Sequence, residues 1–183
     1  MSELKSARRI DELGRVVIPK EIRKALRLVK GDLMEVFIEG ERVCVKKYSP
    51  IKSLNTFASE FSSSLYQTTQ KNVIVTDLER VVFTNKKLKE FINLPLSNDF
   101  LQLLYDKKSY LCNCSDGGKF IPICQGLEEG YNQFIVPLSS NGSLIGALVI
   151  LSLAEEGVID NAQMTAALFG ARFLEKRFEI DEN

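Results

Sequence analysis

Between positions 8 and 24 the sequence places Arg8, Arg9, Arg15, Arg23 and Lys24, and the chemistry open to such a set is neutralisation of phosphates. Arginine donates in a planar fork that fits phosphate oxygens or a guanine edge and never loses its charge, whereas lysine acts as a flexible point charge. Residues 1 to 30 hold 9 basic against 4 acidic side chains; residues 1 to 50 hold 12 against 8, and the remainder 12 against 16. The first segment is therefore +4 and the rest −4. This asymmetry points to a basic head that meets a polyanion, carried on an acidic body; the plain alternative is a solvated charged surface. With no histidine among its 183 residues, the chain has neither a Ser-His-Asp or Cys-His nucleophile nor an imidazole ligand for zinc. No catalytic group, cofactor or metal set is assigned, and an enzyme is not expected.

The elements that must position these cations are short. A length of 183 residues allows one ordinary domain or two small ones, and 45% apolar with 26% charged residues is a globular balance. No apolar run reaches 18 residues, and the opening Met1-Ser2-Glu3-Leu4-Lys5 lacks a signal peptide's apolar stretch. A cytoplasmic location without membrane attachment is expected, with the four cysteines reduced. Residues 7–10 and 15–18 read as strands around the turn Asp11-Glu12-Leu13-Gly14; Pro19 then opens a helix whose Ile22, Ala25 and Leu26 share a face opposite Arg23, Lys24 and Arg27. Gly31-Asp32 turns the chain into a hairpin of residues 33–38 and 42–47 across Glu39-Gly40-Glu41. Four short strands and a two-turn helix bury too little to be stable alone, so the head needs a partner, and a second head is the economical one. The break at Tyr48-Ser49-Pro50 leads to domains 1–52 and 53–183.

In the second segment Ser53 caps a helix striped by Leu54, Phe57, Ala58, Phe61 and Leu65. Strands are expected at 72–76 and 80–84, helices at 86–92 and 98–105, and a strand near 120–124 within the poorly legible stretch 106–130. A hairpin of residues 133–138 and 143–153 turns over Ser139-Ser140-Asn141-Gly142, and a helix spans 159–178 with Ile159, Ala162, Ala166, Phe169 and Phe173 as one stripe while Met164, Leu168, Ala171 and Phe178 fall elsewhere, so that it is buried on more than one side. The sum is an α+β chain.

The stretch Arg8 to Leu26, with Gly31-Asp32, Met34 to Ile38 and Lys46 to Ile51, resembles the AbrB-type DNA-binding domain of bacterial transcriptional regulators. The resemblance implies a swapped-hairpin β-barrel homodimer that binds double-stranded DNA through Arg8, Arg15, Arg23 and the next position. Here that position is Lys24, which keeps the phosphate charge and lacks the bidentate fork. Arg9 is a further candidate, while Asp11, Glu12 and Glu21 are given structural work, orienting arginines or capping turns. The body resembles a GAF domain, an antiparallel sheet with helices that often holds a small ligand; no ligand is named for it here. The implied function is regulation, by activation or repression, of sporulation genes from promoter DNA.

Two alternatives stay open. Related heads also occur in antitoxins, but those end in short disordered tails, unlike the patterned 53–183. Helices 53–66 and 159–178 either cover one face of their own sheet or pack across a dimer as a four-helix bundle, making a homotetramer. Cys112, Cys114 and Cys124 lack zinc-ribbon spacing, and Cys44 reads as a small packed side chain.

Overall fold

Turn residues flanked by β-branched runs fold as hairpins in both halves of the chain. A computed structural model describes residues 7–26, 28–30, 34–47, 51, 55–127 and 130–181, and by its internal contacts the chain divides into two units, Met1–Tyr48 and Ser49–Asn183. Arg27, the 31–33 turn, the 48–50 junction and the capping Ser53 with Leu54 lie outside the described residues, as does the Ala58 side chain.

In the first unit, helix α1 (Lys20–Ala25) is followed by strands β1 (Met34–Glu39) and β2 (Arg42–Lys47), antiparallel with Glu39 opposite Arg42. Gly40 at φ 60 occupies the first position of the two-residue loop, where a side chain would be strained. Residues 7–10 and 15–18, expected as strands, carry no ladder in the single chain. A strand exists only by pairing, and the bond from Asp11 N to Arg15 O at 3.1 Å is a turn closure. Pro19 sits at the N-cap with ψ 150, one residue before the helix it was expected to open. Nothing in α1 is buried; Val17 is 74% and Ile38 79% exposed, while Ile18, Ile22, Met34 and Phe37 are only partly covered.

The second unit has its own core. Its elements are α2 (Asn55–Thr69), β3 (Asn72–Thr76), β4 (Val81–Thr84), a 3-10 turn Lys86–Phe91, α3 (Asn98–Tyr105), β5 (Tyr110–Cys112), β6 (Tyr131–Ser140), β7 (Ser143–Leu153) and α4 (Asn161–Asp181). The five strands form one antiparallel sheet in the order β4-β3-β7-β6-β5. Asn141 at φ 47 and Gly142 at φ 78 make the β6–β7 turn, the pair of positive angles that matches strand twist. Both sheet faces are apolar. Val73, Val75, Phe134, Val136, Leu148 and Ile150 pack with α2 and α4; Ile74, Ile135, Ala147, Val149 and Leu151 pack with α3 and the loops.

The buried stripe of α4 is Ala167, Gly170, Ala171, Leu174 and Phe178, at helical spacing. Of the expected stripe, Ile159 is buried and Ala166 packs against the core, whereas Phe169 is 75% exposed and Phe173 lies against the Phe57 ring of α2, 5.9 Å away. The glycine decides this: a Cβ at Gly170 would stand 2.8 Å from the Phe61 ring, so the helix packs closely on the face that carries it. Residues 120–124 also differ from expectation, forming only an isolated bridge between Cys124 and Leu96. Pro122 has no N–H to give a ladder, and the buried Gln133 amide, oriented to its partners, donates to Ile121 O at 3.1 Å and accepts from Ile121 N at 2.6 Å in a strand's place. Among the described residues no helix is long and apolar enough to cross a membrane.

Candidate nucleic-acid interface

Arg8, Arg9, Arg15, Arg23 and Lys24 are all exposed. They are spread along one segment of 17 residues, from position 8 to position 24. Arg8 and Arg9 precede a tight turn, Arg15 closes it, and Arg23 and Lys24 share the last turn of α1. The Arg8 Nη1 donates to its neighbour's carbonyl, Ala7 O, at 3.1 Å.

The turn is built from Asp11 and Gly14. Gly14 N donates to Asp11 O at 3.0 Å and Asp11 N to Arg15 O at 3.1 Å, a three-residue loop that needs a left-handed residue at its end. Gly14 supplies it at φ 76. The Asp11 carboxylate fills the turn: Oδ1 accepts from Leu13 N at 3.0 Å and Arg15 N at 2.8 Å, and Oδ2 accepts from Arg15 Nε at 2.8 Å. The Arg15 backbone amide and then its guanidinium hold the Asp11 carboxyl below its ordinary value of 3.8. Because the ionised form is the favoured one, the contact is complete above pH 3.8 and is lost as pH falls below it. The Arg15 side chain stays 71% exposed in this pair.

Farther along, α1 takes shape from Pro19, whose carbonyl accepts from Arg23 N at 2.9 Å. Leu28 N donates to Arg23 O at 2.8 Å and closes the C-terminal end beside Arg23 and Lys24, where cations suit the helix dipole. On the hairpin, Lys46 bridges Glu35 at 3.0 Å and stands 5.0 Å over the Phe37 ring. Among the described residues, Asp11 is the acidic residue of those expected to orient arginines that is joined to one; Glu21 lies in the first turn of α1, where a carboxylate complements the dipole.

In the second unit, polar side chains hold loops. Lys71, 5% exposed, donates from Nζ to Ser152 Oγ at 2.9 Å, Glu156 O at 3.0 Å and Gly157 O at 3.2 Å. Asn132 accepts from Cys114 N at 2.7 Å and donates to Gly157 O at 3.0 Å, and Asn113 accepts from Ile159 N at 3.0 Å. These bonds fix the segment that enters α4. Cys112 and Cys124 are buried while Cys114 is exposed. Burial, with the neighbouring Cys114 second, raises the Cys112 thiol, and burial pushes Cys124 up to about 11. Among the described residues no group of three His, Cys, Asp or Glu side chains is placed to hold a metal ion. Cys44 is half-buried, its Sγ 3.7 Å from Glu39 Oε2.

Known proteins resemble both units. Residues 53–179 match the family model described as "Stage V sporulation protein T C-terminal, transcription factor", and residues 7–53 match "Antidote-toxin recognition MazE, bacterial antitoxin". The chain is 38% identical over 174 residues to stage V sporulation protein T of Bacillus subtilis (strain 168), covering 92% of this chain and 96% of that relative. It is 46% identical over 43 residues to the transition state regulatory protein AbrB of the same organism, covering 24% of this chain and 45% of the relative. In fold alone it resembles the GAF domain/HD domain protein from Geobacter sulfurreducens, with TM-score 0.51 at 13% identity over 71% of this chain and 96% of that one.

Proposed function

The chain belongs to the stage V sporulation protein T family, and from that premise we infer that it regulates transcription of sporulation genes by binding double-stranded promoter DNA through its first unit. The observation that carries the reading is the run of exposed cations Arg8, Arg9, Arg15, Arg23 and Lys24, in a unit whose sequence is similar to AbrB. Activation or repression follows from which promoter element the protein covers. The site of action is the cytoplasm, at the nucleoid.

A pair of first units forms the binding head. Val16, Val17, Val36, Ile38 and Val43 are all more than half exposed in one chain. A second copy that supplies strands beside residues 7–10 and 15–18 covers them and pairs their open backbone, as a swapped hairpin does. The head comprises residues 1–52 and the body 53–183, a reading supported by, though not identical with, the unit division at 48/49. Two such dimers assemble as a tetramer through the second unit. Helices α2 and α4 cover their own sheet, with the Phe173 ring 5.9 Å from that of Phe57 in α2, yet Phe169 remains on the outer face of α4 for a second copy. A small ligand in this GAF-like unit is compatible with the same role.

Anisotropy of a labelled promoter-derived duplex, selected from a pool by the wild-type protein, tests the reading against a scrambled duplex across salt. If Arg8, Arg15, Arg23 and Lys24 of two chains each neutralise a phosphate, roughly 8 contacts give a log–log salt slope of about −7. Arg15→Ala weakens binding and flattens the slope by at most about 2, the figure for one full phosphate per chain, and by less to the extent that Asp11 offsets the Arg15 charge. An unchanged affinity and slope in Arg15→Ala would remove Arg15 from the interface, and no binding at low salt would remove the DNA reading. One observation favours a second reading, a head that recruits a toxin: the match of residues 7–53 to an antitoxin family. Salt-steep DNA binding by the full chain separates the two.

A further inference from the structure

We propose that Asp11 is a positioning residue that sets DNA specificity, by fixing Arg15 so that its terminal nitrogens alone face the duplex. This rests on the reading of residues 8–24 as the DNA surface. The geometry is a chelate. One carboxylate oxygen holds the backbone that carries the arginine, at Arg15 N 2.8 Å and Leu13 N 3.0 Å, and the other holds the head group at Nε, 2.8 Å. The side chain is thereby tied at both ends, although it is 71% exposed. A free surface arginine loses its rotamer freedom when DNA binds; here much of it is lost beforehand.

The chemistry of what remains follows from the guanidinium's five N–H donors. With Nε engaged, the four on the two terminal nitrogens are left as an end-on fork, which matches the O6 and N7 acceptors of guanine or two phosphate oxygens. The carboxylate also offsets the guanidinium charge. Attraction to any phosphate is weakened, while directed hydrogen bonding is kept, so Arg15 works by geometry more than by charge. Asp11 touches no DNA in this scheme; it acts through Arg15.

Asp11→Asn separates this from a role in the turn alone. The amide oxygen still accepts from Leu13 N and Arg15 N, so the turn survives, but the negative charge and the acceptor for Nε are gone. In the full-length protein, affinity for the scrambled duplex is expected to rise and the salt slope to steepen. The ratio of selected to scrambled affinity is expected to fall about tenfold, the scale of one lost bidentate base contact. The Arg15 Nε resonance in NMR spectra moves with it. Asp11→Ala, which also removes the turn acceptor, lowers the ratio at least as far. A ratio unchanged in Asp11→Asn, while Arg15→Ala reduces it, overturns the positioning role and leaves the DNA reading standing. Indifference of DNA binding to Arg15→Ala overturns both.

Discussion

Cys124 and Cys114 carry the same thiol in opposite surroundings. Cys124 is 1% exposed and pushed up to about 11 by burial, while Cys114 lies at the surface with Sγ 3.3 Å from Tyr131 O. The nucleophile is the thiolate, so at pH 7.5 iodoacetamide is expected to label Cys114 at least about 100-fold faster than Cys124, as read by peptide mass spectrometry. Linkage gives a second readout. A thiol raised in the folded state favours the protonated form, so its contribution is fully present below the unfolded value of 9.0 and is lost as pH rises through about 11. Chemical denaturation across that window should show a decline that Cys124→Ala lacks. At this scale the sequence was partly legible. Arg15 and the Asp11-Glu12-Leu13-Gly14 turn could be recognised by residue type, because a left-handed glycine closes a known loop. The specific bond from Oδ2 to Nε could not, since Asp11, Glu12 and Glu21 are equivalent until the backbone is in place.

Among the elements, α4 has two apolar faces with different work. Leu174 is fully buried against the sheet, whereas Phe169 points away from it. Leu174→Ala is expected to destabilise the second unit by about 2–5 kcal/mol, seen as a lower thermal midpoint. Phe169→Ser leaves that midpoint nearly unchanged and shifts the mass seen by light scattering toward the dimer; an unchanged mass would show that this face holds no second copy. The hairpins were legible because Gly40 and Asn141-Gly142 dictate their turns. The stripe of α4 was not, because apolar residues circle the helix and only the close approach at Gly170 picks the inner face. Residues 106–130 resisted for another reason: β5 is three residues long and 120–124 pairs through a side-chain amide, neither of which leaves a periodic signal.

For the whole molecule, the two units obtain stability by different routes. The second has buried clusters on both faces of its sheet; the first, within one chain, has no buried residue in α1 and turns its valines outward. A unit completed only by a second copy unfolds by mass action, so the transition of the head should rise with protein concentration while that of the body moves less. Calorimetry over a hundredfold concentration range checks this, and a head transition independent of concentration would count against the paired head. The fold class was readable from order and turn chemistry, but strands at 7–10 and 15–18 cannot appear in a single chain when their ladder belongs to another.

The sheet of the second unit is apolar on both faces, and that changes what specifies it. In a sheet with one wet face, sliding a strand by one residue is forbidden because it would bury polar groups. Here a slip of β7 would exchange Val149 for Ile150 at little cost in polarity. The register must be written elsewhere, and shape writes it. A Cβ at Gly146 would collide with Thr76 O of β3 and stand 2.7 Å from Ile51 Cδ1, so one site on β7 fits that place. At the other end, Asn85 donates to Asn72 Oδ1 at 3.0 Å and accepts from Val73 N at 3.0 Å, a buried lock that only one alignment of β3 with its neighbours completes. Drift in the sequence can therefore interchange aliphatic residues across the sheet widely, while a missing side chain and a pair of amides carry the alignment for all of them.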